Sequence, residues 1–219
     1  MLVEGTLRWR VTEDCPFDLL IGLCLRDIAG LQHVGDPVLP SVVPAVQRQP
    51  VSGRILASAP STASAAWDAS RGESSAQLAE EWEQWWRRAV VRANAMASWR
   101  TAFVPPHFAA FDRELALQDL VIERFEDAAA WALERRAEYV ADDRVHRAAH
   151  AADIVDIVRG REHELRRQAG SFRLDIEALP LAEKGAWVVA PDTVVISWSL
   201  REDHAAFRRW FQPLVAALV

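Results

Sequence analysis

The chain is poor in lysine, cysteine and glycine. Lys184 is the single lysine beside 24 arginines, and two cysteines and nine glycines are spread over 219 residues. Cys15 and Cys24 stand nine apart, which excludes a disulfide framework and a zinc ribbon. The glycines form no phosphate loop, dinucleotide fingerprint or nucleophile elbow, so the large nucleotide-dependent classes recede. Long apolar runs are missing as well. The longest near the N-terminus, residues 19–25, falls far short of the roughly 20 residues that span a bilayer, and no basic segment leads into it. The expectation is a soluble, unsecreted chain in a reducing cytoplasmic setting. With 25 basic residues among 31 acidic ones and a net charge of −6, no global field draws it to nucleic acid or to an anionic membrane. The arginine bias runs through the whole chain, so it reads as composition and not as a site.

What the chain does have is helix. Residues 107–159 contain no proline or glycine over 53 positions, and helix-favouring Ala, Leu, Glu and Arg dominate there. One straight helix of that length runs about 80 Å, against a radius of gyration of about 17 Å for a compact chain of this size. It must break or protrude. A break is expected at Asp142 or Asp143, whose short acidic side chains suit the start of a second helix.

Around this stretch the periodicity changes. Val3, Leu7, Trp9 and Val11 alternate with polar residues as one strand with one buried face. After Pro16, the residues Phe17, Leu20, Ile21, Cys24, Leu25 and Ile28 make a helical stripe, with Leu19 and Leu23 behind it, so that helix reads as buried nearly all round. Closely spaced prolines then give an extended strap, and the Ala/Ser-rich residues 57–75 read as a surface loop. Ser74 and Gln77 form a capping-box pair ahead of a stripe of Leu78, Trp82, Trp85, Trp86, Ala89, Val90, Ala93, Met96 and Ala97. That helix is expected to pair antiparallel with the long stretch. Beyond Gly170, Phe172, Leu174 and Ile176, then residues 187–190, then Val194, Ile196 and Trp198 read as a three-stranded meander. Phe207, Trp210, Phe211, Leu214, Val215 and Leu218 mark a C-terminal helix that starts at Ser199 or Asp203 and is kinked or restarted at Pro213.

These readings predict an α+β, predominantly helical fold. The N-terminal strand joins the meander in a small antiparallel sheet covered by the C-terminal helix, with a central antiparallel helix bundle inserted. As a single domain over 1–219, residues 1–31 and 171–219 form the α+β layer, 32–73 the strap and loop, and 74–169 the helical insertion.

No motif in the chain specifies an activity. His146, His150 and Asp153 stand at i, i+4 and i+7, in line with Tyr139, Asp142 and Ile157. Two imidazoles one turn apart, with a carboxylate beyond, suit a divalent metal. The same line lies opposite Ala148, Ala152, Val155 and Val158, so a solvated polar face is the plainer expectation and a buried hydrogen-bond network the third. His163-Glu164 begins like a helical zinc-protease signature, but Arg167 stands where the second histidine is needed. Arg159, Arg161, Arg166 and Arg167 offer an anion site, although neighbouring glutamates compensate them. Trp82, Trp85 and Trp86 suit a core or a partner interface. The leading expectation is a non-enzymatic interaction or assembly protein, with a protein partner or as a homo-oligomer. The alternative is a metal-dependent hydrolase with ligands from His146, His150 and Asp153.

Overall fold

Alternation near the N-terminus and again beyond residue 170 builds one sheet. The computed structural model describes residues 2–6, 9–48, 64–91 and 102–219, and among these the chain is α+β and predominantly helical. Its strands are β1 (Leu2–Thr6), β2 (Trp9–Asp14), β3 (Phe172–Leu179), β4 (Ala186–Ala190) and β5 (Thr193–Ser197). They form a five-stranded sheet in the order β1-β2-β3-β5-β4. The single N-terminal strand of the sequence reading is thus an antiparallel hairpin, with Val3 opposite Val11. The meander also gives way to another order. β3 pairs in parallel with both β2 and β5, and β4 lies antiparallel at the far edge of β5. The sheet is mixed, and its three inner strands point the same way.

The helices are α1 (Phe17–Ile28), α2 (Ser64–Val90), α3 (Leu115–Leu165), α4 (Trp198–Glu202) and α5 (His204–Leu218). The long stretch does not break at Asp142 or Asp143. α3 runs through both as one 51-residue helix, because each aspartate pairs with a base one turn ahead, Asp142 with His146 and Asp143 with Arg147, as side chains on one helical face do. Residues 107–114 instead form turns and a short 3₁₀ segment. α2 begins at Ser64, so the Ala/Ser-rich run is helical from there, and Ser74 lies inside the helix and caps nothing. Leu7, residues 57–63 and the positions Ala93, Met96 and Ala97 lie outside the described residues.

The chain divides into two compact units. One comprises Met1–Phe17, Pro40–Pro44 and Leu133–Val219; the other comprises Asp18–Leu39 and Ala45–Ala132. The boundary falls within α3, so neither unit has to enclose the helix whole. In the first unit, Trp9, Val11, Leu174, Ile176, Ala178, Val194 and Ile196 line one face of the sheet. Ile154 and Val158 of α3 and Phe207, Phe211 and Val215 of α5 cover them. Burial of each of these aromatic rings is worth about 1.5–3 kcal/mol. Ser197 caps α4 by accepting from the Leu200 N–H, and Asp203 caps α5 by accepting from the Ala206 N–H at 2.9 Å. Pro213 lies inside α5 without ending it.

In the second unit every residue of α1 from Asp18 to Ile28 is buried. Arg26 is held there by Asp27 at 2.6 Å and by the Leu39 carbonyl at 2.9 Å, since a buried charge needs both a partner and hydrogen bonds. Gly22 leaves room for the Trp85 ring, which would lie 2.3 Å from a Cβ at that position. The Gly22 carbonyl accepts the Trp82 indole N–H at 2.9 Å. At the start of α3, Glu81 accepts the otherwise free Leu117 N–H at 2.8 Å.

Candidate functional site

Continuing the alternation of Trp9 and Val11 places Glu13 on the covered face of β2, at the carboxyl end of the strand. There it is 2 % exposed. β5 passes directly into α4, and the Ser197 cap fixes the turn that brings Arg201 to the same end of the sheet. The Arg201 Nε–H donates to both oxygens of Glu13 at 3.0 Å, and its guanidinium lies over the Phe207 ring at 4.0 Å. From α3, Tyr139, Asp142, Asp143 and His150 share one helical face. These groups, with Glu138, Ala178, Trp198 and Glu202, line a cavity of about 270 Å³. It lies beyond the carboxyl ends of the parallel strands β2 and β3 and beside the helix that follows β5, which is where open sheets with parallel strands place their ligand crevices.

The line of residues expected to be a solvated face is turned inward at several positions. His150, Asp153 and Ile157 are buried; on the opposite face Ala148 and Ala152 are exposed, Val155 is half-buried and Val158 is buried as expected. Alanine gains little from burial, and the inward charges are met by α4 and α5. Asp153 accepts from His204 Nδ1 at 2.5 Å and from Arg208 at 3.0 Å, with Arg201 at 3.5 Å. Burial works to raise the Asp153 carboxyl, but the hydrogen bonds from His204 and Arg208 outweigh it and hold the group below the usual carboxylate range. His146 pairs with Asp142 at 2.7 Å. The rings of His146 and His150 stack 5.9 Å apart, and His150 and His204 lie 5.5 Å apart. The structure therefore makes the line a polar network in contact with α5. Among the described residues, no three His, Cys, Asp or Glu side chains are placed to hold a metal ion.

The cavity's titrations are displaced from neutrality. Burial, helped by Arg201 and His204, lowers His150 to about 4, so at pH 7 the ring is neutral and offers one donor and one acceptor. Burial pushes the Tyr139 phenol up, which keeps it protonated. Burial also raises the Glu13 carboxyl, although Arg201 pulls against it. Effective proton transfer needs a group poised near the working pH, and His150 and Tyr139 are not. Both side chains can hydrogen-bond in these states. Two donors stand ready, because the terminal nitrogens of Arg201 and the Tyr139 hydroxyl are buried without a hydrogen-bond partner among the described residues.

The other sequence candidates are placed elsewhere. Trp82, Trp85 and Trp86 are 1 %, 7 % and 2 % exposed, with Trp82 stacked on Trp86 at 5.3 Å; they pack the second unit and present no open surface. Cys15 and Cys24 are buried and form no disulfide among the described residues, and burial beside Asp27 pushes the Cys24 thiol up to about 12, away from a nucleophile's range. The arginine cluster lies at the C-terminal end of α3. Arg161 pairs with Glu164 at 3.0 Å, and Arg167 donates to the Val219 carbonyl at 2.8 Å. Arg166 and Arg167 border an open depression with Glu162 and His163, while Arg159 does not line it. A helix C-terminus carries partial negative charge, which disfavours an anion there. Arg166 has φ +50°, and its N–H and that of Arg167 donate to His163 and Glu162 at 3.2 Å each. This is the Schellman closure, with arginine where glycine is usual.

Glu13 and Arg201 were not legible as a site, since 188 residues separate them. The one available signal was a glutamate on the buried parity of a strand. Among the described residues, no helix is long and apolar enough to cross a membrane. Comparison with protein-family models, with curated proteins and with solved structures finds no match to this chain.

Proposed function

We propose that the sheet-bearing unit is a binding module for a small polar molecule, held in the cavity formed by Glu13, Tyr139, Asp142, His150, Trp198 and Arg201. The observation that carries this is that Arg201 Nη2 and the Tyr139 hydroxyl, both buried, make no hydrogen bond among the described residues. Leaving such groups unmet costs about 1–3 kcal/mol apiece, which a ligand bearing acceptors recovers. The displaced titrations of His150 and Tyr139 favour recognition over acid–base chemistry. Thermal denaturation against a panel of small sugars, carboxylates, amines and amino acids tests the reading. A ligand at a hundred times its Kd adds about 2.7 kcal/mol, or roughly 5–10 °C in Tm for a chain of this size. At least one compound is expected to give a dose-dependent rise that Tyr139→Phe diminishes. A panel with no such compound, or a rise indifferent to the variant, refutes the proposal.

A second reading, assembly, is supported by α3. Leu133 and Val140, both in the sheet-bearing unit, are 60 % and 40 % exposed, and at about 100° per residue they fall on one line of the helix. Self-association of two copies along this line buries an apolar stripe that is otherwise wet. Sedimentation equilibrium is expected to show a dimer that Leu133→Glu dissociates. A wild-type monomer at all concentrations removes this reading.

A further inference from the structure

We propose that the cavity takes a zwitterion of the α-amino-acid class, its carboxylate at Arg201 and Tyr139 and its ammonium at Asp142 and Glu202. The inference rests on the small-ligand reading above and adds the charge and size of the ligand.

Five carboxylates line the cavity, and their partners differ. Glu13 faces Arg201, Glu138 faces Arg135 at 2.8 Å, and Asp143 faces Arg147. Asp142 has only the His146 imidazole, and Glu202 has no ion pair among the described residues. The wall therefore carries uncompensated negative charge at Asp142 and Glu202. On the same wall, Arg201 is 3 % exposed; its Nη1 lies 3.5 Å from Asp153 in an ion pair, and neither terminal nitrogen makes a hydrogen bond among the described residues, which leaves Nη2 as the donor for a ligand. A simple anion satisfies Arg201 but is repelled by the surplus carboxylates. A simple cation is attracted to them but leaves the buried donors unmet. A molecule carrying both charges a few bonds apart answers both.

Size narrows the class. A cavity of about 270 Å³ suits a small molecule such as an amino acid. Trp198 sets the side chain. Its indole N–H is already donated to the Ala178 carbonyl at 3.1 Å, so the ring offers only an apolar surface. A medium-sized apolar amino acid fits these three constraints.

The experiment is isothermal titration of the full chain with L-leucine, 4-methylpentanoate and 3-methylbutylamine, after a thermal-shift survey of the twenty amino acids and the wider panel. Leucine, or another apolar amino acid of its size, is expected to bind, with the two single-charge analogues weaker by about tenfold or more, the loss of one charge-assisted hydrogen bond. Glu202→Gln, at an exposed position that leaves the core intact, is expected to weaken leucine by several-fold without altering the circular dichroism. If either analogue equals leucine, or Glu202→Gln leaves leucine binding unchanged, the zwitterion is refuted. If no amino acid binds but a sugar or a dicarboxylate does, the class is wrong and the cavity reading stands. If nothing in the panel binds, both fall.

Discussion

His150 gives the sharpest quantitative prediction. Its imidazole is 5 % exposed, and burial, then Arg201 and His204, lower it from 6.5 to about 4, with His146 adding to the effect and Asp142 opposing it. Between these values the native state binds fewer protons than the unfolded chain, so acidification favours unfolding. The full displacement corresponds to about 3 kcal/mol. Of this, about 2 kcal/mol is lost by pH 5 and most of the rest by pH 4. Glu13, whose carboxyl is raised, acts with the opposite sign, since the native state gains stability as pH falls through its raised range. Asp153, held below the usual range, loses its contribution only at more acid pH. Comparison with His150→Gln cancels both. Urea denaturation of the two proteins at pH 7 and pH 5 is expected to show the wild type losing about 2 kcal/mol more than the variant, and an NMR titration of the His150 ring is expected to have its midpoint near 4. Equal losses in the two proteins, or a midpoint near 6.5, refute the reasoning.

Other perturbations follow from the same geometry. Gly22→Ala, despite a gain in helix propensity, drives a methyl to within 2.3 Å of the Trp85 ring and is expected to lower stability by about 1–3 kcal/mol in urea denaturation. Gly160 is a helical glycine where a methyl group meets nothing within 4 Å among the described residues, so Gly160→Ala is expected to raise stability by about 0.8–1 kcal/mol. Arg166→Gly relieves a left-handed arginine at φ +50° and is expected to add about 1 kcal/mol, read as a higher denaturation midpoint. Arg201→Met removes the guanidinium that pairs with the buried Glu13 and is expected to cost about 3–5 kcal/mol, whereas the double variant Glu13→Leu/Arg201→Met recovers much of the loss; a double variant as unstable as the single one refutes that coupling.

Local structure was the legible part of this fold. Period-two alternation located β2, β3, β4 and β5, and the helical stripes located α1, the Trp-bearing part of α2 and α5. Strand order was not legible, because alternation says which face a residue takes and nothing of which strand lies beside it. Asp175 and Glu177 show the limit most clearly. They occupy the polar parity of β3, yet they are 2 % and 0 % exposed. The expected break in α3 failed for a local reason: Asp142 and Asp143 have pairing partners four residues on, which the capping argument did not weigh. At the cavity, the line through Tyr139, His150 and Asp153 was visible as a pattern, but not which of its members turn inward: His150 and Asp153 are buried, His146 is exposed, and Val158 on the opposite side is buried as well. Nothing in that helix alone reveals that Arg201, His204 and Arg208 arrive opposite it.

The parallel pairing of β2 with β3 also sets an order of events during synthesis. Thr12 donates to Asp175 across 163 residues of sequence, and at about 5–20 residues per second the ribosome needs roughly 8–30 s to make the second partner after the first. Throughout that interval β2 has an open edge on the β3 side. The second unit, complete by Ala132, emerges whole long before the sheet can close. The first strands thus wait for their inner neighbour until synthesis reaches the last fifth of the chain.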